Sequence, residues 1–258
     1  MRLGIEVEID YALPDPADVL LQIEAAAMPD QRIETETLTV WSDIPLRAAR
    51  GEDGIGQRCW VHAVGRFQAQ YHATVTIDRP AVTLATLGAS APRAVPAELT
   101  AYLLPSRYCP VETLYGFVRR EFAGLAGGPL AAAIAEWVER EIAYSCDGAI
   151  GGTALDTFGQ RAGVCRDFAH LVVTLARAGG IPARCVSAYA PGVDPPDFHA
   201  VAELWLDGGW HLVDATGMAR AEELARVAVG RDATDIAFMT IFGRASLMRQ
   251  VVRVARLD

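Results

Sequence analysis

Apolar and polar positions alternate along the first part of the chain, the period-two pattern of half-buried strands. Ile5, Val7 and Ile9 are separated by acidic residues, 32–41 repeats the alternation more weakly, and 66–77 carries it most clearly inside a strand-rich stretch, 57–77. Turn formers such as Gly51-Glu52-Asp53-Gly54 separate these runs. The pattern predicts an antiparallel β-sandwich over residues 1–90. An Ala-, Pro- and Ser-rich stretch, 87–96, then predicts a linker.

The period changes beyond it. A short helix is predicted over 111–122. A longer amphipathic one follows over 130–142, with Leu130, Ile134, Trp137, Val138 and Ile142 on one face and Gly127-Gly128-Pro129 at its start. After Cys165, the residues Phe168, Leu171, Val172 and Leu175 fall at i, i+3, i+4 and i+7, and Val173 and Ala176 leave little polar surface. A helix apolar nearly all round is a central, buried one, and Gly179-Gly180 with Pro182 ends it. Strands are predicted over 184–190, 199–206, 210–215 and 246–256, with Asp207-Gly208-Gly209 turning the second into the third. The expected fold is α+β: an N-terminal antiparallel β-sandwich, 1–90, followed by a helix-and-sheet domain, 91–258.

Composition narrows the function. The 258 residues carry a net charge of −9, with no basic cluster, which argues against a nucleic-acid partner because phosphates demand a basic face. No lysine occurs, and this excludes Walker-A phosphate binding and Schiff-base cofactors, both of which need a primary amine. No cofactor is expected. No apolar run reaches the length of a membrane span, and the N-terminal segment is not hydrophobic enough for a secretory signal, so no membrane partner is expected. Five irregularly spaced cysteines without a paired motif predict reduced thiols and a cytoplasmic location.

One cysteine stands apart. Cys165 lies in Gly163-Val164-Cys165-Arg166-Asp167-Phe168-Ala169-His170-Leu171, on the first turn of the buried helix. Unpaired N–H groups at a helix start favour a thiolate. His199, in Asp197-Phe198-His199-Ala200, and Asp214, in Leu212-Val213-Asp214-Ala215-Thr216, supply a base and its orienter. If the turn spans 206–209, Asp214 falls opposite Val201, with His199 two positions along on the same face; an odd turn length would place the two on opposite faces. The Cys165 N–H and the Gln160 side chain are the expected oxyanion donors. Cys59, Cys109, Cys146 and Cys185 are expected to be structural, and His62, His72 and His211 surface or packing residues. His170 is expected to be a core group behind the site, Asp167 to favour the helix dipole, and Arg166 to pair with a neighbouring carboxylate. Metal binding, the competing chemistry, lacks any C-x-x-C, H-x-x-x-H or H-x-E spacing; no metal is expected.

At these residues the chain resembles the bacterial transglutaminase-like superfamily. The blocks 163–171, Ala178-Gly179-Gly180-Ile181-Pro182-Ala183-Arg184, Asp197-Phe198-His199-Ala200 and Trp210-His211-Leu212-Val213-Asp214-Ala215-Thr216 occur in the family's order over residues of about 100 to 240. The front sheet resembles the β domain that precedes this core in a bacterial subgroup. The segments Tyr102-Leu103-Leu104-Pro105-Ser106-Arg107-Tyr108 and Gly230-Arg231-Asp232-Ala233-Thr234-Asp235 resemble the joining segment and a block after the triad. The resemblance implies a papain-like core, a Cys165–His199–Asp214 triad, and acyl-thioester chemistry on a peptide or protein amide. It implies amide hydrolysis of the peptidase or isopeptidase type, with acyl transfer to an amine, or a non-catalytic scaffold binding a peptide or partner, as alternatives. One departure is Val201, where many relatives carry an aromatic residue; a changed cleft wall is the expected consequence.

Overall fold

The computed structural model describes residues 1–42, 44–145 and 152–257; Cys146 lies outside them. The N-terminal alternation folds as read. In Arg2–Ala12 the residues Leu3, Ile5, Val7 and Ile9 are buried, and in Arg66–Ile77 the same phase buries Phe67, Ala69, Tyr71, Ala73, Val75 and Ile77. These strands pair antiparallel, with Val7 opposite Tyr71, and Gln31–Trp41 flanks Arg66–Ile77. A second antiparallel sheet holds Ala17–Leu21, Gln57–Ala63 and Arg47–Arg50. The buried faces of both sheets join one apolar core, which continues into the rest of the molecule.

The end of the chain departs from a division at residue 90. Ser246–Arg256 forms as a strand but adds to Arg2–Ala12, with Val7 opposite Val252, and Met239–Ile241 adds to Ala17–Leu21. Local periodicity specifies a strand; its partner is chosen by whichever sheet edge offers a matching apolar face. The stretch expected as a linker also packs closely. A short 3₁₀ turn, Leu84–Thr86, precedes it and another, Pro92–Ala94, lies within it, and Gly128 donates its N–H to the Leu87 carbonyl at 3.0 Å. A Cβ at Gly128 would meet the Leu84 carbonyl oxygen at 2.0 Å, so only glycine permits that approach.

A third sheet, in the order Gly209–Val213, His199–Leu206, Ala183–Tyr189, Ala225–Gly230, is antiparallel throughout. The helix Cys165–Ala178 lies against its two central strands, with Leu171, Val173, Leu175 and Ala176 fully buried. Burial of each large apolar side chain there contributes roughly 1.5–3 kcal/mol. Gly127–Glu141 and Ala154–Gln160 pack beside it, the second being a helix that the sequence pattern did not announce. The predicted 111–122 helix is a 3₁₀ turn, Val111–Leu114, running into Tyr115–Glu121.

Two buried polar systems tie these parts together. Glu203, fully buried on a central strand, accepts ion pairs from Arg184 at 2.6 Å and Arg226 at 2.7 Å, and Arg226 also reaches Asp30 from the N-terminal sheets at 2.9 Å. Arg177 points its guanidinium into the carbonyls of Leu104, Ala183 and Arg231 and the Ser106 hydroxyl, at 2.7–3.2 Å. It thereby staples the helix to two loops that approach the Cys165 end. No helix among the described residues is long and apolar enough to cross a membrane.

Candidate active site

Cys165 is the first residue of its helix, after Val164 in extended conformation. Asp167, three residues on, accepts the Val164 N–H at 3.0 Å and so fixes where the helix begins. Gly163 makes room for that contact: a Cβ there would lie 2.6 Å from Asp167 Cβ. The Cys165 N–H makes no hydrogen bond to any described residue, leaving a helix-start donor free beside the sulfur. The thiol is partly exposed, whereas Cys59, Cys109 and Cys185 are buried.

His199 opens a strand that is paired on both sides, opposite Ala188 on one flank. The hairpin turns through Asp207 and Gly208, both with positive φ, so that Leu206 faces Gly209 and Ala202 faces Val213. Continuing that register puts Asp214 opposite Val201, on the face His199 shares. Their side chains meet: His199 Nε2 lies 2.8 Å from Asp214 Oδ2, with both groups essentially inaccessible to solvent. The carboxylate also accepts the Thr216 N–H and hydroxyl on Oδ1, at 2.9 and 2.7 Å, and the Ala219 N–H on Oδ2 at 3.0 Å. Burial alone would raise Asp214, but the His199 and Thr216 contacts hold it below the ordinary carboxylate range.

His199 is consequently pushed up to about 9: burial works against the imidazolium, and the Asp214 carboxylate and Cys165 sulfur outweigh it. Its Nδ1 is buried and makes no hydrogen bond of normal length. The sulfur is near enough to act on the ring electrostatically, a looser approach of the kind resting active sites show before substrate tightens them.

Cys165 and His199 face a cleft of about 530 Å³. One wall, 233–240, contributes Ile236, Phe238 and Met239; another contributes Arg107 and Tyr108. Phe238 stacks on Phe198, next to the base, at 4.2 Å between centroids. The N-terminal sheets brace this wall, because Gln22 donates to the Phe238 carbonyl at 2.8 Å, Arg58 to that of Asp235 at 2.9 Å, and Met239–Ile241 is itself a strand of the second sheet.

Behind the opposite wall sits His170. Its ring stacks on Tyr108 at 5.1 Å, and its Nε2 accepts the Ala233 N–H at 3.0 Å. Burial drives it down to about 3, despite the nearby Asp232 carboxylate, so the ring is neutral. Asp232 accepts the N–H groups of Tyr108 and Thr234. The two family-like segments around Tyr108 and Asp232 thus meet at the cleft, a convergence that no spacing in the sequence displays.

Two expectations, those for Gln160 and Val201, need correction. Gln160 ends its helix exposed and does not line the cleft, so it offers no oxyanion donor. Val201 points into a separate small core with Val186 and Leu212, not into the cleft wall. Arg166 does pair with a neighbouring carboxylate, Asp167, as an ion pair at 3.7 Å. His62 pairs with Asp18 and His211 with the Leu206 carbonyl, both away from the cleft. Among the described residues no group of three His, Cys, Asp or Glu is placed to hold a metal ion.

The arrangement has the parts for acyl chemistry: a sulfur at a helix start, a base steadied by a carboxylate, and a free N–H beside the sulfur. The transglutaminase-like superfamily profile matches residues 126–215, a span that contains Cys165, His199 and Asp214. The uncharacterized protein ML0607 of Mycobacterium leprae is 34% identical over 146 residues, 52% of this chain and 52% of its own; the match thus spans about half the length of that curated relative. The solved structure of a proposed cysteine protease from Cytophaga hutchinsonii is 33% identical, covers 100% of this chain and 91% of that one, and superposes with a TM-score of 0.93. With a relative this similar along nearly its whole length, the chain belongs to the transglutaminase-like superfamily.

Proposed function

We propose that this protein is a cysteine-dependent amide hydrolase of the peptidase or isopeptidase type, acting on a peptide or protein through a Cys165–His199–Asp214 triad. The observation that carries the reading is the 2.8 Å bond from Asp214 to His199 Nε2, which leaves Nδ1 to face the thiol at the helix start in one cleft. His199 takes the thiol proton, and the sulfur attacks the amide carbon. The tetrahedral oxyanion receives the Cys165 N–H, and His199 Nδ1 returns the proton to the departing amine as the C–N bond breaks. Water, deprotonated by the same Nδ1, then adds to the thioester carbon, and the sulfur leaves as the acid is released. Asp214 keeps the ring oriented and supports its charge. Free thiols at the four described cysteines suit the reducing cytoplasm as its place of work.

Alkylation by iodoacetamide tests this. We expect fast, pH-dependent, single-site labelling at Cys165, abolished in Cys165→Ala, with the three buried cysteines unreactive in the folded protein. Uniform slow labelling of all thiols would overturn the triad reading. Peptide cleavage followed by mass spectrometry, with and without a primary amine, then identifies the acceptor: a hydrolysed product in both supports hydrolysis, and an amine adduct reassigns the protein to acyl transfer.

A further inference from the structure

We propose that the cleft selects a substrate that carries a carboxylate close to the scissile amide, held by Arg107 and Arg166. This rests on the reading of Cys165 as the nucleophile and names its substrate class. Both arginines line the cleft that holds Cys165. Neither guanidinium makes a hydrogen bond to a described residue. Arg107 has no carboxylate within 4 Å among the described residues, and its fork lies 5.2 Å above the Tyr108 ring. Arg166, adjacent to the nucleophile in sequence, comes no nearer than 3.7 Å to Asp167 and forms no hydrogen bond.

Several arginines elsewhere are closely paired, as Arg2 with Glu34 at 2.8 Å, Arg184 with Glu203 at 2.6 Å and Arg226 with Asp30 at 2.9 Å. In a chain of net charge −9, one guanidinium without a carboxylate partner and a second held only by a 3.7 Å ion pair line the same cleft, where both can reach an anion. The single carboxylate among the described lining residues, Asp197, accepts the Phe198 N–H at 2.7 Å and the Gln250 amide at 2.6 Å on Oδ1. Asp232, behind the Tyr108 wall, is likewise committed to backbone N–H groups.

The arginine side is also held in place. Tyr108 is fixed by the His170 stack on one side and by Asp232 through its N–H, so the ring beneath Arg107 is a rigid platform. The opposite flank is apolar, with Phe198, Phe238 and Met239. A guanidinium binds a carboxylate through two parallel N–H donors, and such charge-assisted pairs are the strong ones. The carboxylate can come from an Asp or Glu side chain or from a peptide's C-terminus; the chemistry at the cleft is the same.

The test compares two alkylating reagents of nearly equal size, iodoacetate and iodoacetamide, with labelling read by mass spectrometry at the Cys165 peptide. We expect the iodoacetate-to-iodoacetamide rate ratio at Cys165 to exceed that of glutathione by about tenfold, the scale of one added charge-assisted hydrogen bond. His199 as an imidazolium also attracts an anion, so the arginine variants decide the assignment. In the double variant Arg107→Gln/Arg166→Gln the ratio should fall about tenfold, with part of it restored by the double Lys variant, which keeps charge but not the fork. Arg119→Gln, at an exposed position away from the cleft, should leave the ratio high.

A high ratio that survives the double Gln variant overturns the assignment to these arginines. A glutathione-like ratio in the parent, with Cys165 still labelled rapidly by iodoacetamide, overturns the carboxylate selectivity while the triad reading stands. Failure of Cys165 to react preferentially with either reagent removes the triad reading instead. Protection from iodoacetamide then separates the sources. N-acetylglutamate methylamide protecting better than N-acetylalanine methylamide assigns a side-chain carboxylate, and N-acetylalanine protecting better assigns a terminal one. No advantage of either acid over the neutral amide overturns the proposal.

Discussion

Two histidines near the cleft are both buried, and the protein drives them in opposite directions. His199 has a carboxylate on Nε2 and a sulfur near Nδ1, and it is raised to about 9. His170 has an aromatic face and a backbone N–H donor, and it falls to about 3. Burial acts alike on both, against the imidazolium; the partner decides which form survives. The carboxylate lets one ring hold a proton near neutral pH, as the proposed base requires. The N–H donor makes the other a neutral strut between the Tyr108 and Ala233 walls.

The difference has a signature in stability against pH. A histidine raised to about 9 from its ordinary 6.5 stabilises the fold fully below 6.5 and loses that contribution as pH rises through 9. A histidine lowered to about 3 is bound neutral while the unfolded chain takes up a proton, so its effect is loss of stability as pH falls from 6.5 toward 3. The two windows lie on opposite sides of 6.5.

The largest effect that could break this comparison comes from His199→Ala. Turnover should fall by about 10³-fold or more, whereas His170→Phe, which keeps the stack on Tyr108, should stay within about tenfold. Equal losses in the two variants would show that the partners do not separate their roles. Next comes Asp214→Asn. We expect turnover to fall by about 10²–10⁴-fold, and the alkaline limb of the pH–rate profile to move from near 9 toward lower pH, because the imidazolium loses its carboxylate. A limb that stays near 9 would detach it from His199.

The smallest effect is thermodynamic. Denaturant unfolding of the parent between pH 6.5 and 3 should show a steeper loss of stability than His170→Phe, the difference reaching at most about 1.4 kcal/mol per pH unit. Subtracting the variant removes the carboxylates that titrate in the same range. Parallel curves would mean that His170 is not held neutral by the fold.

Much of the site was legible before any coordinates. Cys165 opens a helix because its apolar positions begin just after it, and the two-residue turn at Asp207-Gly208 fixes the phase that sets His199 beside Asp214. These are local features, encoded by residues close together in the chain. The Gln160 expectation came from proximity along the chain, and the helix Ala154–Gln160 carries that side chain to the surface. Val201 shares the face of His199, but two positions further along the strand its side chain packs against Val186 and Leu212 in a separate core, out of reach of the cleft.

The sequence by itself determined the main strands and the central helix, the phase in which each buries its apolar residues, and three residue types, Cys, His and Asp, at the edges of those elements. Tertiary structure alone decided that Ser246–Arg256 joins the first strand, that Met239–Ile241 ties the cleft wall to the N-terminal sheets, and that Arg107, Tyr108 and Phe238 share a cleft with Cys165. The reason is physical: periodicity is written over a few residues, whereas strand partners, burial and proton affinity depend on groups that only the fold brings together.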